Sequence, residues 1–185
     1  MADEKGIEIK IPGFWEGTTR IKAVFSDYTG TLSLEGELIK RVKQRLRKLA
    51  EMVHIYVVTS DTRGTAEREL RAVLGPEHLT IENKLNNAKP HDDQKLEYLD
   101  RVLREKNLEK QEVVVFGNGR NDGKWLEAVK NAPGLAIAVD VGEGCAIEAM
   151  TSATIFVSGI NNALDLLLDP KRSVATLRTL GDTPP

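Results

Sequence analysis

Short runs of branched apolar residues alternate with longer amphipathic stretches from residue 20 onward. The runs read IKAVFS, HIYVVTS, LTIEN, EVVVFGN, GLAIAV and TIFVS. Continuous apolar runs of this length are typical of strands buried on both faces, and their alternation with helical patterns predicts repeated strand–helix units. The pattern therefore predicts an α/β fold with three layers, Rossmann-like, in which helices cover a mostly parallel sheet of about six strands.

The segment between the first two runs has helical periodicity. Its apolar residues recur at steps of three and four, with lysines and arginines between them: Leu38, Ile39, Val42, Leu46, Leu49 and Val53. This spacing predicts a helix over 36–53. Similar patterns predict further helices at about 63–74, 92–106, 121–131, 145–151 and 160–168.

The two ends of the chain differ from this repeat. EIKIPG, within about residues 6–19, predicts an added strand or hairpin at a sheet edge. The tail, residues 170–185, includes most of DLLLDPKRSVATLR, which is either an interface helix or the last cover on the sheet, and ends in GDTPP, which we expect to be disordered. Because no long linker divides the chain, we expect residues 1–185 to form a single domain with a core at about 20–169.

Composition excludes several classes of partner. The 185 residues carry 26 basic and 28 acidic side chains, so no excess charge favours nucleic acid or an anionic membrane. Cys145 is the only cysteine, which excludes a disulfide within the chain and favours a reducing compartment. MADEKGIEIK lacks the apolar centre of a signal peptide, and no apolar run approaches ~20 residues. We therefore expect a cytoplasmic protein that does not cross a membrane.

Four polar signatures follow the predicted strands. They are Asp27 in FSDYTGT, Thr59 in VVTSD, GNGRND at 117–122, and Lys95 at the start of the helix after the third strand. In an open parallel sheet, ligands bind beyond the carboxyl ends of the strands, where helix N-termini present free N–H groups. The order of the elements predicts that these four segments meet at one place.

Each signature also has a plainer interpretation. Asp27 before a glycine turn fits a turn or capping residue, and GNGRND fits a glycine-rich turn in which Asn121 or Asp122 caps the next helix. Lys95 is one of many lysines on a charged helix, and Lys89 competes for its role. We interpret the aromatic residues and histidines outside the signatures as packing or surface residues. They include Trp15, Tyr98, Trp125 and His91.

DYTGTL, TSD and GNGRND, in this order, resemble motifs of the haloacid dehalogenase superfamily of phosphotransferases. They are most similar to the patterns DKTGT, TGD and GDGxND of the phosphorylation domain of P-type ATPases. Over about residues 20–169 the chain resembles the small capless hydrolases described as soluble P-type ATPase-like proteins. The resemblance implies a Mg²⁺-dependent phosphohydrolase or phosphotransferase that forms an aspartyl phosphate.

The resemblance also implies roles for particular residues. Asp27 would be the nucleophile, a role that a carboxylate can fill when a cation screens the phosphoryl oxygens. The residues implied for catalysis are Asp27, Thr29, Thr59 and Lys95. Those implied for phosphate binding are Gly30, Thr59, Ser60 and Lys95. Those implied for Mg²⁺, which prefers oxygen ligands, are Asp27, Thr29 through its backbone carbonyl, Asn118 and Asp122.

Two positions depart from the family pattern. Thr29 stands where related phosphatases have a second aspartate that transfers protons, and losing that group slows catalysis roughly 10²- to 10⁴-fold. Asn118 stands where an aspartate binds magnesium, so affinity for the metal should fall. These departures keep an alternative open, a phosphate-binding regulatory protein with little or no turnover. A third interpretation, unrelated chemistry with accidental motifs, predicts no binding of Mg²⁺ or phosphate analogues.

The spacing of the motifs leaves no room for the cap domains that many relatives insert. The interval after Thr31 is only a few residues, and residues 61–95 hold one helix and one strand. A capless site is open, which suits a phosphorylated small molecule or macromolecule, or closure by a neighbouring subunit in a homo-oligomer.

Overall fold

The computed structural model describes residues 5–179, so the GDTPP end lies outside the described residues. Its strands are β1 (Ile7–Lys10), β2 (Thr18–Ile21), β3 (Ala23–Ser26), β4 (Ser33–Leu34), β5 (Glu37–Leu38), β6 (His54–Val58), β7 (Leu79–Glu82), β8 (Val113–Gly117), β9 (Leu135–Asp140) and β10 (Ile155–Ser158). Its α-helices are α1 (Val42–Ala50), α2 (Ala66–Arg71), α3 (His91–Lys106), α4 (Gly123–Asn131), α5 (Ile147–Ser152), α6 (Ile160–Leu168) and α7 (Pro170–Leu177).

A six-stranded sheet forms the centre, in the order β10-β9-β8-β3-β6-β7. Every neighbouring pair in it is parallel. All six strands predicted from the apolar runs are present, and the predicted α/β fold class is confirmed. The two central strands, β3 and β8, are buried along their whole length because helices cover both faces.

Side chains that alternate along the strands form two cores. Val24 points to one face, where it packs with residues of the β1–β2 hairpin and of α1, α2 and α6, and where α7 adds partly buried apolar side chains. Phe25 points to the other face, where it packs with residues of α3, α4 and α5. The sheet and these two groups of helices are the three predicted layers.

The predicted helix over 36–53 is wrong at its start, because α1 begins only at Val42. Residues 33–38 instead form the β4–β5 hairpin. Glu35, Gly36 and Arg41 have φ values of 54°, 86° and 73°, which a right-handed helix cannot contain. The other helices lie within a few residues of their predictions, and α6 matches at both ends.

The N-terminal segment is a hairpin, as predicted, but it does not extend the central sheet. β1 and β2 pair antiparallel in a separate two-stranded sheet, and Ile7, Ile9 and Ile21 pack into the first core. The predicted strand IKAVFS is divided at Lys22, whose N–H donates to the Glu112 carbonyl. The predicted extension of the sheet edge is therefore wrong, because burying these isoleucines places the hairpin over a face of the sheet.

The C-terminal tail contains α7, which packs against α6 and β1. This position fits the interpretation of the tail as the last cover on that face. Within residues 5–179, no helix is long and apolar enough to cross a membrane. The division into one domain stays a prediction.

Candidate active site

The site lies where the order of the sheet reverses. β3 and β8 are neighbours, and from them the chain proceeds outward through β6 and β7 on one side and through β9 and β10 on the other. The loops that leave such a pair diverge and open a crevice at the carboxyl ends of the strands. Asp27 directly follows β3, Asn118 follows β8, and Thr59 follows β6, the next strand on the other side of β3.

A lysine between two aspartates forms the buried centre of this crevice. Lys95 Nζ lies 3.0 Å from Asp27 Oδ1 and 2.7 Å from Asp122 Oδ1. The side chain of Lys95 is 0% exposed and that of Asp27 is 6% exposed. Lys95 reaches this point from the first turns of α3, whereas Lys89 is exposed and pairs with Glu97. Of the two competing lysines, Lys95 is therefore the one that contacts the aspartates.

Burial and charge set the protonation equilibria of this group. Burial raises the pKa of Asp27 to about 6, because it outweighs the opposing attraction of Lys95, and the nearby charge of Asp122 adds to the rise. Burial alone would lower the pKa of Lys95, but the charges and hydrogen bonds of Asp122 and Asp27 outweigh it, so that pKa is raised. The lysine thus stays charged, and the nucleophile candidate ionises near neutrality.

Asp122 is bonded through both carboxylate oxygens. Oδ1 accepts from Lys95, and Oδ2 accepts from the backbone N–H groups of Asn118 and Gly119 at 3.0 and 2.9 Å. A Cβ at Gly117 would lie 2.5 Å from the Cβ of Asp122, so only glycine leaves room for this side chain. Asp122 therefore holds the GNGRND loop and Lys95 together through hydrogen bonds to both of its oxygens.

The loops after β3 and β8 touch through Asn118. The Thr31 hydroxyl donates to Asn118 Oδ1 at 3.2 Å, and Asn118 Nδ2 donates to the Gly144 carbonyl at 3.3 Å. Gly30 has φ +72°, and a Cβ there would lie 2.4 Å from Asn118 Nδ2. Glycine is thus required at residue 30 both for its backbone conformation and for this close approach.

The hydroxyl groups predicted for the site lie on the loops that leave β3 and β6. These strands pair in parallel with Ser26 opposite Val57, so Asp27 and Thr59 leave neighbouring strands within two positions of each other. Thr59 is buried, and its hydroxyl oxygen accepts from the Asp61 N–H at 3.0 Å, which leaves the hydroxyl hydrogen to donate elsewhere. Thr29 and Ser60 are half-buried.

The β4–β5 hairpin, which the helical interpretation missed, stands beside this crevice. The Tyr28 hydroxyl and the Thr65 hydroxyl both donate to the Gly36 carbonyl, at 2.9 and 2.6 Å. At the hairpin turn, the Glu35 N–H donates to the Glu143 side chain at 2.8 Å. The sequence signal for it was the Glu-Gly pair at 35–36, which suits a tight turn between two short strands.

Trp125 is the second feature of the site that the sequence did not reveal, because its pattern was interpreted as packing. Its ring centroid lies 5.1 Å from Lys95 Nζ, and its side chain is fully buried. The indole Nε1 is buried without a hydrogen-bond partner among the described residues. The available signal was its spacing, three residues after Asp122, which places both side chains on the same side of one helical turn.

The ligands that the family resemblance implies for Mg²⁺ are of the type that a hard divalent cation prefers. They are the carboxylates of Asp27 and Asp122, the Thr29 carbonyl and the Asn118 amide oxygen, a set with no nitrogen or sulfur ligand. Within residues 5–179, no group of three or more His, Cys, Asp or Glu side chains is placed to hold a metal ion. Mg²⁺ keeps several waters and needs only a few protein oxygens, so this small set is compatible with it.

The chain belongs to the haloacid dehalogenase-like hydrolase family, whose model matches residues 16–130. It is 40% identical over 84 residues to an uncharacterized protein of Methanocaldococcus jannaschii, a match that covers 45% of this chain and 84% of that protein. The predicted superfamily and the prediction of a hydrolase are confirmed at the level of this family. The closer likeness to soluble P-type ATPase-like proteins and the cytoplasmic location stay predictions.

Solved structures share the fold at low sequence identity. A 3-deoxy-D-manno-octulosonate 8-phosphate phosphatase from Moraxella catarrhalis, in complex with magnesium, phosphate and KDO, superposes with a TM-score of 0.58 at 17% identity, covering 84% of this chain and 90% of that chain. The cobalt-bound deoxy-D-mannose-octulosonate 8-phosphate phosphatase of Haemophilus influenzae gives 0.60 at 14% identity, covering 86% and 94%. A hypothetical protein of Xanthomonas campestris gives 0.61 at 15% identity, covering 85% and 86%.

Proposed function

We propose that this hydrolase is a phosphohydrolase that acts through a covalent phosphoryl group on Asp27. The observation that carries the proposal is the buried contact of Asp27 with Lys95 and, through it, with Asp122, at the crevice where a sheet of this order binds ligands. A carboxylate beside a fixed cation, at the open end of a parallel sheet, is equipped to attack an electrophilic phosphorus.

Two displacements make up the proposed reaction. In the first, an Asp27 oxygen forms a bond to phosphorus while the bond from phosphorus to the leaving oxygen breaks. In the second, water attacks the same phosphorus, and the bond to Asp27 breaks to release phosphate and restore the carboxylate. Lys95 offsets the negative charge of the transferring group, and the Thr59 hydroxyl, the Ser60 hydroxyl and the loop at Gly30 bind its oxygens.

A divalent cation, Mg²⁺ in our proposal, would be held by Asp27, the Thr29 carbonyl and Asn118. When bound, it would supply positive charge that screens the repulsion between the carboxylate and the phosphoryl oxygens. Asp122, which the sequence interpretation placed among the metal ligands, is assigned here to positioning Lys95 and the loop, because its oxygens accept three hydrogen bonds, two of them from backbone N–H groups of that loop. The cation thus meets one carboxylate and two neutral oxygens, which predicts weak binding.

Thr29 predicts the class of substrate. A threonine hydroxyl does not ionise near neutrality and is a poor proton donor, so the leaving oxygen departs without a proton from this position. Leaving groups of low pKa suffer least, and acyl or aryl phosphates should therefore be hydrolysed much faster than alkyl phosphates. A steep fall in rate as the pKa of the leaving group rises is the expected result, and a flat dependence contradicts this assignment.

The test is phosphate release from a panel of alkyl, aryl and acyl phosphates, with and without Mg²⁺. Wild type and Asp27→Asn are compared side by side, and circular dichroism verifies that both are folded. We expect release that requires the metal and is absent in Asp27→Asn. Release that persists in Asp27→Asn would show that another group carries the chemistry.

A phosphate-binding regulator remains the second candidate, favoured by the neutral side chains of Thr29 and Asn118. It predicts that acetyl phosphate labels Asp27, or that beryllium fluoride binds there, while no phosphate is released over hours. The variant Thr29→Asp separates the two candidates. In a slow enzyme it restores a proton-transfer group and raises kcat roughly 10²- to 10⁴-fold, whereas a regulator with an incomplete site stays inactive.

A further inference from the structure

We propose that Trp125 is a positioning residue for Lys95: the face of its indole ring stabilises the buried ammonium and leaves one N–H of that ammonium for the transferring phosphoryl group. This inference rests on the function proposed above, because it assigns that N–H to the phosphoryl group. It adds to the site a neutral aromatic residue that sequence reasoning assigned to packing.

The helix that follows Asp122 places the ring. Asp122 immediately precedes α4 and Trp125 lies in its first turn, so the two side chains reach Lys95 from the same side of that turn. The ring centroid is 5.1 Å from Lys95 Nζ, within the ~6 Å over which an aromatic face attracts a cation. Both side chains are fully buried, so water does not screen the attraction.

The number of charges explains why a neutral partner suits this position. One ammonium and two carboxylates carry a net charge of −1, and a phosphoryl group adds further negative charge. A third carboxylate on Lys95 would repel that group and would occupy the last N–H. The indole face attracts the ammonium with its quadrupole, adds no formal charge and takes no hydrogen bond.

The indole N–H provides a second, independent observation. Trp125 Nε1 is buried with no hydrogen-bond partner in the described part of the chain. A buried donor without a partner destabilises a fold, so a phenylalanine or leucine would serve packing better. Tryptophan has the strongest cation-binding face of the aromatic side chains, which gives the indole a reason to be present.

Packing alone is the competing explanation, since Trp125 lies in the second core with Leu126 and Val129. A test must therefore change the electrostatics of the ring without changing its shape. The chain has two tryptophans, so a Trp15→Phe background leaves Trp125 as the only indole. In that background, Trp125 is replaced by mono-, di- and trifluorinated tryptophans, because each fluorine weakens the negative face of the ring at nearly constant volume.

Two quantities are measured across this series. The urea midpoint of unfolding, without metal or ligand, reports the contact between the ring and the ammonium. The values of kcat and KM for a phosphate ester that the wild type hydrolyses report positioning. We expect the midpoint to fall stepwise and kcat to fall roughly 3- to 30-fold, the range for a desolvated cation–π contact, while KM changes less than twofold.

The outcomes separate this proposal from the proposed function. Packing alone predicts a constant or rising midpoint, because fluorine adds apolar surface, and that result overturns the proposal whether or not the wild type is active. A falling midpoint with unchanged kcat overturns the positioning role. A falling midpoint in a protein that hydrolyses no ester supports the ring–ammonium contact and overturns the phosphohydrolase.

Natural side chains provide a matched control. Trp125→Phe keeps an aromatic face, and Trp125→Leu replaces it with an apolar side chain. We expect kcat of Trp125→Phe to stay within about threefold of wild type, and that of Trp125→Leu to fall about tenfold, under conditions where both are folded. Equal kcat values for the two variants contradict a role for the ring face.

Discussion

Two lysines of this chain each lie between two aspartates, and the two groups differ mainly in burial. Lys95 contacts Asp27 and Asp122. Lys124 contacts Asp92 and Asp93, at 3.1 and 2.5 Å. The side chain of Lys95 is 0% exposed and that of Lys124 is 45% exposed. Both groups join the start of α3 to the region around the start of α4, so the same set of charges occurs once inside the protein and once at its surface.

The pKa of an aspartate is shifted in opposite directions in the buried group and in the exposed group. In the buried group, desolvation outweighs the lysine and raises the pKa of Asp27 to about 6. In the exposed group, slight burial raises the pKa of Asp92 less than hydrogen bonds from Lys124 and from the Asp93 N–H lower it, so the net shift is downward. The same charges therefore shift the pKa of an aspartate in opposite directions in the two groups, because exclusion of water from Asp27 raises the free energy of its charged form.

The largest expected difference comes from removing each lysine. Lys95→Met leaves two buried carboxylates without a cation, and breaking a buried pair in this way destabilises a fold by about 3–5 kcal/mol. Lys124→Met leaves its aspartates in contact with water, so the free energy of unfolding should barely change. Urea unfolding at pH 7.5 in EDTA measures both, and similar losses for the two variants would contradict the comparison.

The next largest effect concerns how stability depends on pH. The dependence has opposite sign for the aspartates Asp27 and Asp92 of the two groups. Because the folded-state pKa of Asp27 is raised from 3.8 to about 6, its contribution to stability is full below pH 4 and is lost as the pH rises through 6. Asp27→Asn does not ionise, so at pH 8 without metal it should be more stable than wild type by about 3 kcal/mol, and equally stable near pH 4.

Asp92→Asn is the matched control for that prediction. Its lowered pKa means that Asp92 contributes stability above its unfolded pKa, and that this contribution is lost as the pH falls. Asp92→Asn should therefore be slightly less stable than wild type at neutral pH. Thermal unfolding between pH 4 and 8 measures both variants, and the same sign for both would show that burial does not separate the two groups.

A smaller effect, on metal affinity, is expected from adding a carboxylate near the buried group. Asn118→Asp adds a negative charge at a residue that is proposed to bind the divalent cation, and should raise the affinity for Mg²⁺ at least roughly tenfold. Asn121→Asp makes the same change in charge on the same loop and is the control. Titration calorimetry measures both, and equal gains would mean that residue 118 is not a ligand.

Salt should have the smallest effect on stability. It should weaken the exposed pairs of Lys124 and leave the buried pairs of Lys95 unchanged. Screening at 1 M salt weakens exposed charge pairs, because the Debye length falls to about 3 Å. Any difference in unfolding midpoint between wild type and Lys124→Met should disappear in 1 M NaCl, while the difference for Lys95→Met persists. Loss of both differences would place Lys95 in contact with solvent.

The sequence predicted where the central strands lie and which polar residues follow them. Apolar runs located all six central strands, and the rule that ligands bind at the carboxyl ends brought Asp27, Thr59 and Asn118 to one edge of the sheet. The position of Lys95 at the head of an amphipathic helix favoured it over Lys89, and the geometry then showed that Lys95 is the lysine that contacts Asp27. The strands could be located because the apolar pattern follows burial, and the residues after them share one edge because all strands of a parallel sheet point the same way.

Other features depend on local geometry that periodicity does not record. Leu38 and Ile39 pack against the core from a hairpin and the turn after it, so their spacing imitated a helix until the left-handed backbone at residues 35, 36 and 41 broke it. The hydrogen bonds that Asp122 accepts from backbone N–H groups depend on how the loop folds around it. The contact of Trp125 with Lys95 could not be told from ordinary packing, because a buried indole satisfies both.

The pairing of β3 with β8 also has a consequence for the order of folding. Ala23 lies opposite Val113, so this central pairing closes a loop of about ninety residues. Forming such distant contacts costs chain entropy before it is repaid, which makes parallel sheets slow to assemble. Asp27 lies near the start of that loop, and Asp122 lies just after its end. During refolding, activity should therefore return only with the last long-range contacts, and no fragment that ends before β8 should contain a working site.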